Sequence, residues 1–148
     1  MMGKVCAFFG HRDIWMDYSK PLEELVRKVV AEGVSDFWLG GYGAFDSCAA
    51  GVLKRLKKEL PHIRIFLILA YLPEKKDLLS AVYDGTIFPE GMEVGPRRFA
   101  ITKRNIWIAK NCDILITYLD REYGGAYSAY KVARKQGKMI YNLGSLNV

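Results

Sequence analysis

The chain has 148 residues, of which 51% are hydrophobic and 26% charged, and its formal net charge is +6. That length suits one domain with one core over residues 1–148, and the composition is ordinary for a globular protein. No apolar run is long enough to span a bilayer, and the short N-terminal one meets His11, Arg12 and Asp13 too soon for a signal peptide. A cytoplasmic protein with no membrane partner is therefore expected.

The run KVCAFF at 4–9 predicts a buried strand. A helix follows over 21–32, with Leu22, Leu25, Val26, Val29 and Val30 on one face, Ser19 as its cap and Gly33 at its end. Residues 36–39 form a second strand. The stretch 44–60 reads as a helix with Ala49, Val52, Leu53, Leu56 and Leu60 inward, stopped by Pro61. IRIFLILAY at 63–71 is the strongest strand signal and is apolar on both faces, as in a parallel sheet. A short helix over 75–83 and a Gly- and Pro-bearing loop over 88–97 come next. Helical spacing returns over 98–111, a strand over 113–118, a helix over 125–136 and a last strand over 138–142. This alternation predicts an α/β fold, a three-layer Rossmann-like sandwich with a mostly parallel central sheet of about five strands.

Cys6, Cys48 and Cys112 are odd in number, far apart and set in apolar contexts, so buried free thiols are expected and no metal site. Lys54, Arg55, Lys57 and Lys58 read as the solvated face of a helix.

In parallel sheets ligands bind beyond the carboxyl ends of the strands. Gly10, His11 and Arg12 follow the first strand, and Gly40, Gly41, Tyr42 and Gly43 follow the second. DREYGGAY at 120–127, with Gly124 and Gly125, follows the strand at 113–118. Bare backbone at a helix start lets a phosphate reach free N–H groups in a favourable dipole field. Two such turns at matching strand ends favour an anion site. Asp46 is either a helix-terminal carboxylate or a contact to ribose or base. Tyr42 can stack on a ring. Arg104 and Asn105, set between Ile101 and Trp107, stand out from a solvated surface, and an arginine there suits phosphate. His11 is a phosphate donor or a loop residue before it is a general base. No reaction signature and no cofactor are identified.

FFGHR at 8–12, LGGYGAFD at 39–46, KRN at 103–105 and CDILITYLDREYGGAYSAYKVA at 112–133 resemble the SLOG superfamily, the Rossmann-like group joining Smf/DprA DNA-processing proteins with LOG phosphoribohydrolases. The nearest resemblance is to its small stand-alone YpsA-like bacterial branch. The resemblance implies binding of a nucleotide or nucleotide-derived ligand. Gly40, Gly41 and Gly43 would cradle phosphate, Gly124 and Gly125 would line the opposite wall, and Arg12, Arg104 and Asn105 would complete the pocket. The LOG motif PGGxGTxxE is replaced here by YGGAYSAYK, in which Tyr123 stands for the proline and no catalytic Glu follows.

These readings make a nucleotide sensor or accessory protein the leading expectation. The alternatives are a hydrolase of nucleotide derivatives using Asp46 or His11, a nucleic-acid-binding module, and a scaffold without its ligand. A nucleotide-like small molecule is the expected partner, with nucleic acid possible but not favoured. Abundant aromatics (Trp15, Tyr18, Tyr83, Phe88, Tyr127 and Tyr130) lead to the expectation of a homo-oligomer. Gly41→Asp is expected to abolish binding without unfolding the chain. Little nucleoside-monophosphate glycosidase activity is expected, with Asp120 and Glu122, which precede the glycines, facing a different part of the loop.

Overall fold

The computed structural model describes residues 3–14, 17–41, 43–72 and 82–148. Its elements alternate: β1 (Lys4–Gly10), α1 (Ser19–Ala31), β2 (Val34–Leu39), α2 (Gly43–Lys57), β3 (Arg64–Ile68) and β4 (Gly85–Ile87). They continue as α3 (Ala100–Asn111), β5 (Ile114–Tyr118), α4 (Gly125–Lys135) and β6 (Met139–Asn142). The 6-stranded sheet has the order β4-β3-β2-β1-β5-β6. All five strand pairings are parallel. Chain direction across the sheet reverses between β1 and β5, where Gly10 pairs with Tyr118.

Strand alternation sorts side chains into two layers. Cys6 and Phe8 of β1, with Ile114 and Ile116 of β5, face α1 and α2. Ala7, Phe9 and Leu115 face α3 and α4. On the first side Leu22, Val26 and Val29 of α1 pack with Ala49, Val52, Leu53 and Leu56 of α2, all buried. The inward faces predicted for both helices are largely those observed, except that Leu60 lies beyond the end of α2, and Phe45 and Asp46 are also buried at its start. On the second side Trp107 of α3 stacks on Trp38 of β2, ring centroids 5.0 Å apart. A third cluster, of Ala70, Met92 and Ala100, lies beneath the 88–97 loop.

The sequence reading differs in the strand count, in the N-terminal cap of α1 and in the ends of α2 and β3, which stop at Lys57 and Ile68. The sheet has six strands, not about five, because β4 (GTI) has only three residues and carries no hydrophobic period. Ser19 is the first helical residue of α1 and not its cap; the Asp17 carboxylate accepts both the Ser19 N–H (2.9 Å) and its hydroxyl (2.6 Å). The helix expected over 75–83 falls mostly outside the described residues.

The aromatics behind the oligomer expectation are largely taken up within the chain. Tyr130 is buried, with the Tyr127 ring 5.6 Å from it, and Phe88 and Tyr83 pack against core clusters. The Tyr18 ring packs at a tilt against Tyr118, and the Tyr18 hydroxyl donates to the Tyr118 hydroxyl at 2.6 Å. This pairing pushes the Tyr118 phenol up to about 12. Trp15 lies outside the described residues. Cys6 and Cys112 are fully buried free thiols, and desolvation raises both, Cys112 to about 11, so neither is a ready thiolate. Among the described residues no helix is long and apolar enough to cross a membrane.

Candidate functional site

A crevice of about 300 Å³ opens over the carboxyl ends of β1 and β5, where the strand order reverses. One wall is Gly10, His11, Arg12 and Asp13 after β1, with Gly40 and Asp46 beside them. The opposite wall is Ile101, Arg104 and Asn105 of α3, together with Arg121 and Tyr123 to Ala126 around the start of α4. Nine of the predicted site residues line it: Gly10, His11, Arg12, Gly40, Asp46, Arg104, Asn105, Gly124 and Gly125. Gly41 and Gly43 do not, and Tyr42 lies outside the described residues.

The glycines at 40, 41 and 43 answer to protein neighbours. A Cβ on Gly40 would sit 2.9 Å from the Arg104 guanidinium, and one on Gly43 3.0 Å from the Arg12 side chain. Gly41 and Gly43 hold φ of +82° and +89°, a region that disfavours side chains. The Gly41 N–H, expected to meet phosphate, donates to Asp46 Oδ2 at 3.0 Å. Asp46, 9% exposed in the first turn of α2, thus ties down this turn, which is the helix-terminal role. Gly41→Asp would force a side chain into a left-handed conformation and against Leu67, so loss of binding in that variant would not report on a ligand.

The α4 turn is different. Gly124, with φ +98°, is the N-cap and supplies no side-chain cap. A Cβ on Gly125 would meet nothing closer than Asn105 Nδ2 at 3.9 Å. The first-turn N–H groups of α4 have no intrahelical acceptor, and Gly124, Gly125 and Ala126 line the crevice.

Arg104 faces them from α3. It is only 4% exposed, and its Nη1 donates to the Gly40 carbonyl at 3.0 Å. Its Nε and Nη2 donate to Asn105 Oδ1 at 3.2 and 3.1 Å. The guanidinium is thus held in one orientation at the crevice wall.

A second charged group was not legible in the sequence. Arg121 donates to Asp120 Oδ1 at 2.7 Å and to Asp13 Oδ2 at 3.1 Å, which holds both carboxyls below their ordinary range. Asp120, expected to face a different part of the loop, is not among the lining residues of the crevice, and its Oδ1 lies 3.4 Å from His11 Nε2. The reason is that Tyr118 pairs with Gly10, so the residues just past both strands leave the sheet side by side. Asn142 of β6 braces the same loop: its Oδ1 accepts the Leu119 N–H at 2.8 Å and its Nδ2 donates to the Leu119 carbonyl at 3.0 Å.

His11 is 6% exposed, and its Nε2 is the buried side-chain polar atom without a hydrogen bond among the described residues. Burial lowers its pKa, Arg121 adds to that, and Asp120 and Asp13 oppose it. The folded protein then binds fewer protons at this site than the unfolded chain below the ordinary value of 6.5. Stability is accordingly expected to fall as pH drops from 6.5 through the folded pKa. Urea denaturation of wild type and His11→Gln across that range checks this; an unchanged slope in the variant would refute the assignment to His11.

No protein-family model matches the chain, and no curated protein matches it. Solved structures do. The chain is similar to DNA processing protein A from Helicobacter pylori, described for its single-stranded DNA binding mode, with a TM-score of 0.64 at 16% identity. It is also similar to DNA processing protein A (DprA) from Streptococcus pneumoniae, with a TM-score of 0.66 at 17% identity. Each match covers 94% of this chain, but only 64% and 50% of those chains, respectively. The fold is therefore Rossmann-like and shared with these two proteins. The likeness does not single out the YpsA-like branch. It also corrects the expected ranking of partners: a solved protein of this fold is described as binding single-stranded DNA, so nucleic acid is not the disfavoured class.

Proposed function

We propose that this chain binds single-stranded nucleic acid, with a backbone phosphate of the strand seated in the β1/β5 crevice. The observation that carries the reading is the uncapped, glycine-bare start of α4 facing a buried, oriented arginine. Three arginines line the crevice (Arg12, Arg104 and Arg121) against two aspartates, Asp13 and Asp46. Both aspartates are engaged, Asp13 by Arg121 and Asp46 by the Gly41 N–H. The net charge of +6 favours a polyanion over a neutral ligand. The Rossmann-like likeness to a single-stranded-DNA-binding protein points the same way.

A mononucleotide sensor would use the same phosphate seat but leaves the overall positive charge without a role. A phosphoribohydrolase has less support. The helix after Gly124 and Gly125 carries no carboxylate, and the nearby Asp46 and Asp120 are committed to Gly41 and Arg121.

Gly125→Asp tests the proposal. The added Cβ would meet nothing closer than Asn105 Nδ2 at 3.9 Å, so the chain is expected to fold, while the new carboxylate takes the phosphate's place at the helix start. Fluorescence anisotropy with a labelled oligothymidylate should show wild-type affinity falling linearly with log salt, about −0.7 per neutralised phosphate on a log scale. The variant should bind at least roughly ten-fold more weakly, as expected for loss of one charge-assisted contact. Equal affinities in a folded Gly125→Asp protein would refute the placement.

A further inference from the structure

Resting on that reading, we infer that a second cavity, over the ends of β3 and β4, is a stacking subsite for an unpaired base of the same strand. It has a volume of about 290 Å³ and lies between Tyr71, just past β3, and Phe88, just past β4. Because every strand pair is parallel, it opens on the same sheet edge as the β1/β5 crevice. The two cavities meet at the start of α3: Ala100 lines one and Ile101, the next residue, lines the other. Only β2 separates β1 from β3, so roughly 10 Å of sheet lies between the two sites at ordinary strand spacing. A strand held by its phosphate in the first reaches the second with a neighbouring nucleotide.

The chemistry suits a base. The floor is apolar, made of Ala70, Met92 and Ala100, each nearly buried. The Arg97 guanidinium lies 4.4 Å from the centroid of the Tyr71 ring, and the Tyr71 hydroxyl donates to the Arg97 carbonyl at 3.2 Å. The aromatic–guanidinium pair is therefore preassembled, and such pairs stack on the face of any base. Lys103 fixes the loop wall by donating to the Gly91 carbonyl at 2.9 Å and to the Val94 carbonyl. Arg97 and the adjacent Arg98 are exposed cations beside a cavity whose one lining carboxylate among the described residues is Glu93.

The test compares two probes, a short fluorescent oligothymidylate and an all-abasic chain of the same length. Wild type should bind the base-bearing probe roughly ten-fold more tightly, the yield of about one stacked base. Tyr71→Ala should bring that ratio near unity with little effect on the abasic affinity, Arg97→Ala should also bring it near unity while weakening both probes through the lost cation, and Tyr71→Phe should preserve it. Thermal melts identify any variant that does not fold; if Tyr71→Ala is one, the ratio in Arg97→Ala decides. A ratio retained in folded Tyr71→Ala or Arg97→Ala, or a wild-type ratio near unity, overturns the subsite and leaves the phosphate seat standing. Failure of wild type to bind either probe overturns both.

Discussion

Arg104→Ala is expected to lose strand binding by two orders of magnitude or more, on the order of the loss of a buried charged contact, and to lower stability by about 2–4 kcal/mol. The side chain is 4% exposed and spans from α3 to the turn after β2. Truncation removes the donor to the Gly40 carbonyl and the two contacts to Asn105 Oδ1, and it empties the space that Gly40 leaves for the guanidinium. Arg104→Lys keeps the charge but not the planar set of donors, so it should recover part of the stability and little of the binding. Chemical denaturation and anisotropy on the three proteins check both effects. An alanine variant within about 0.5 kcal/mol of wild type and with unchanged affinity would show that the residue is neither a brace nor a ligand contact.

Gly10→Ala should be comparably damaging to the fold. A Cβ there would sit 2.3 Å from Phe45 Cγ and 2.5 Å from Phe45 Cβ. Phe45 cannot easily yield, because it is 1% exposed and its ring lies 6.4 Å from the centroids of both Phe8 and Tyr118. Overpacking of this kind costs about 1–3 kcal/mol in tolerant cores, and the upper end or more is expected here. Phe45→Leu in the same chain should return part of the loss, giving a coupling energy of about 1 kcal/mol or more in a double-mutant cycle. Strictly additive effects would place the strain elsewhere.

The fold was legible because its physics is local and periodic. Apolar runs such as KVCAFF and DILITY, and the helical stripe of Leu22, Val26 and Val29, each mark an element without reference to distant residues. β4 escaped because three residues carry no period. The strand-end rule brought Gly10, His11, Arg12, Gly124 and Gly125 to one crevice, and the odd setting of Arg104 between apolar neighbours marked a buried cation. What the sequence hides is what fills the space beside a glycine. Gly40 and Gly43 make room for arginines and Gly41 for a turn, whereas the bare backbone at Gly125 faces an open crevice. The bridge from Arg121 to Asp13 was equally hidden, since its partners lie 108 positions apart and leave no local pattern. The partner class was misjudged because a glycine-lined phosphate seat looks the same for a free nucleotide and for one residue of a polymer.

The place of β1 in the sheet has a consequence for how the chain acquires its activity. β1 is the first strand in sequence, yet it lies between β2 and β5, and its second pairing, Cys6 with Ile114, closes a loop of more than a hundred residues. Non-local parallel pairing of this kind forms late, because loop-closure entropy is lost before contacts return it. The half made of β1 to β4 can gather first, but the crevice has only one wall until β5 docks and carries Arg121 and the start of α4 into place. On the proposed function, ligand affinity is expected only once β5 has docked, and a nucleic-acid strand present during refolding should stabilise the completed sheet without speeding the assembly of its first half.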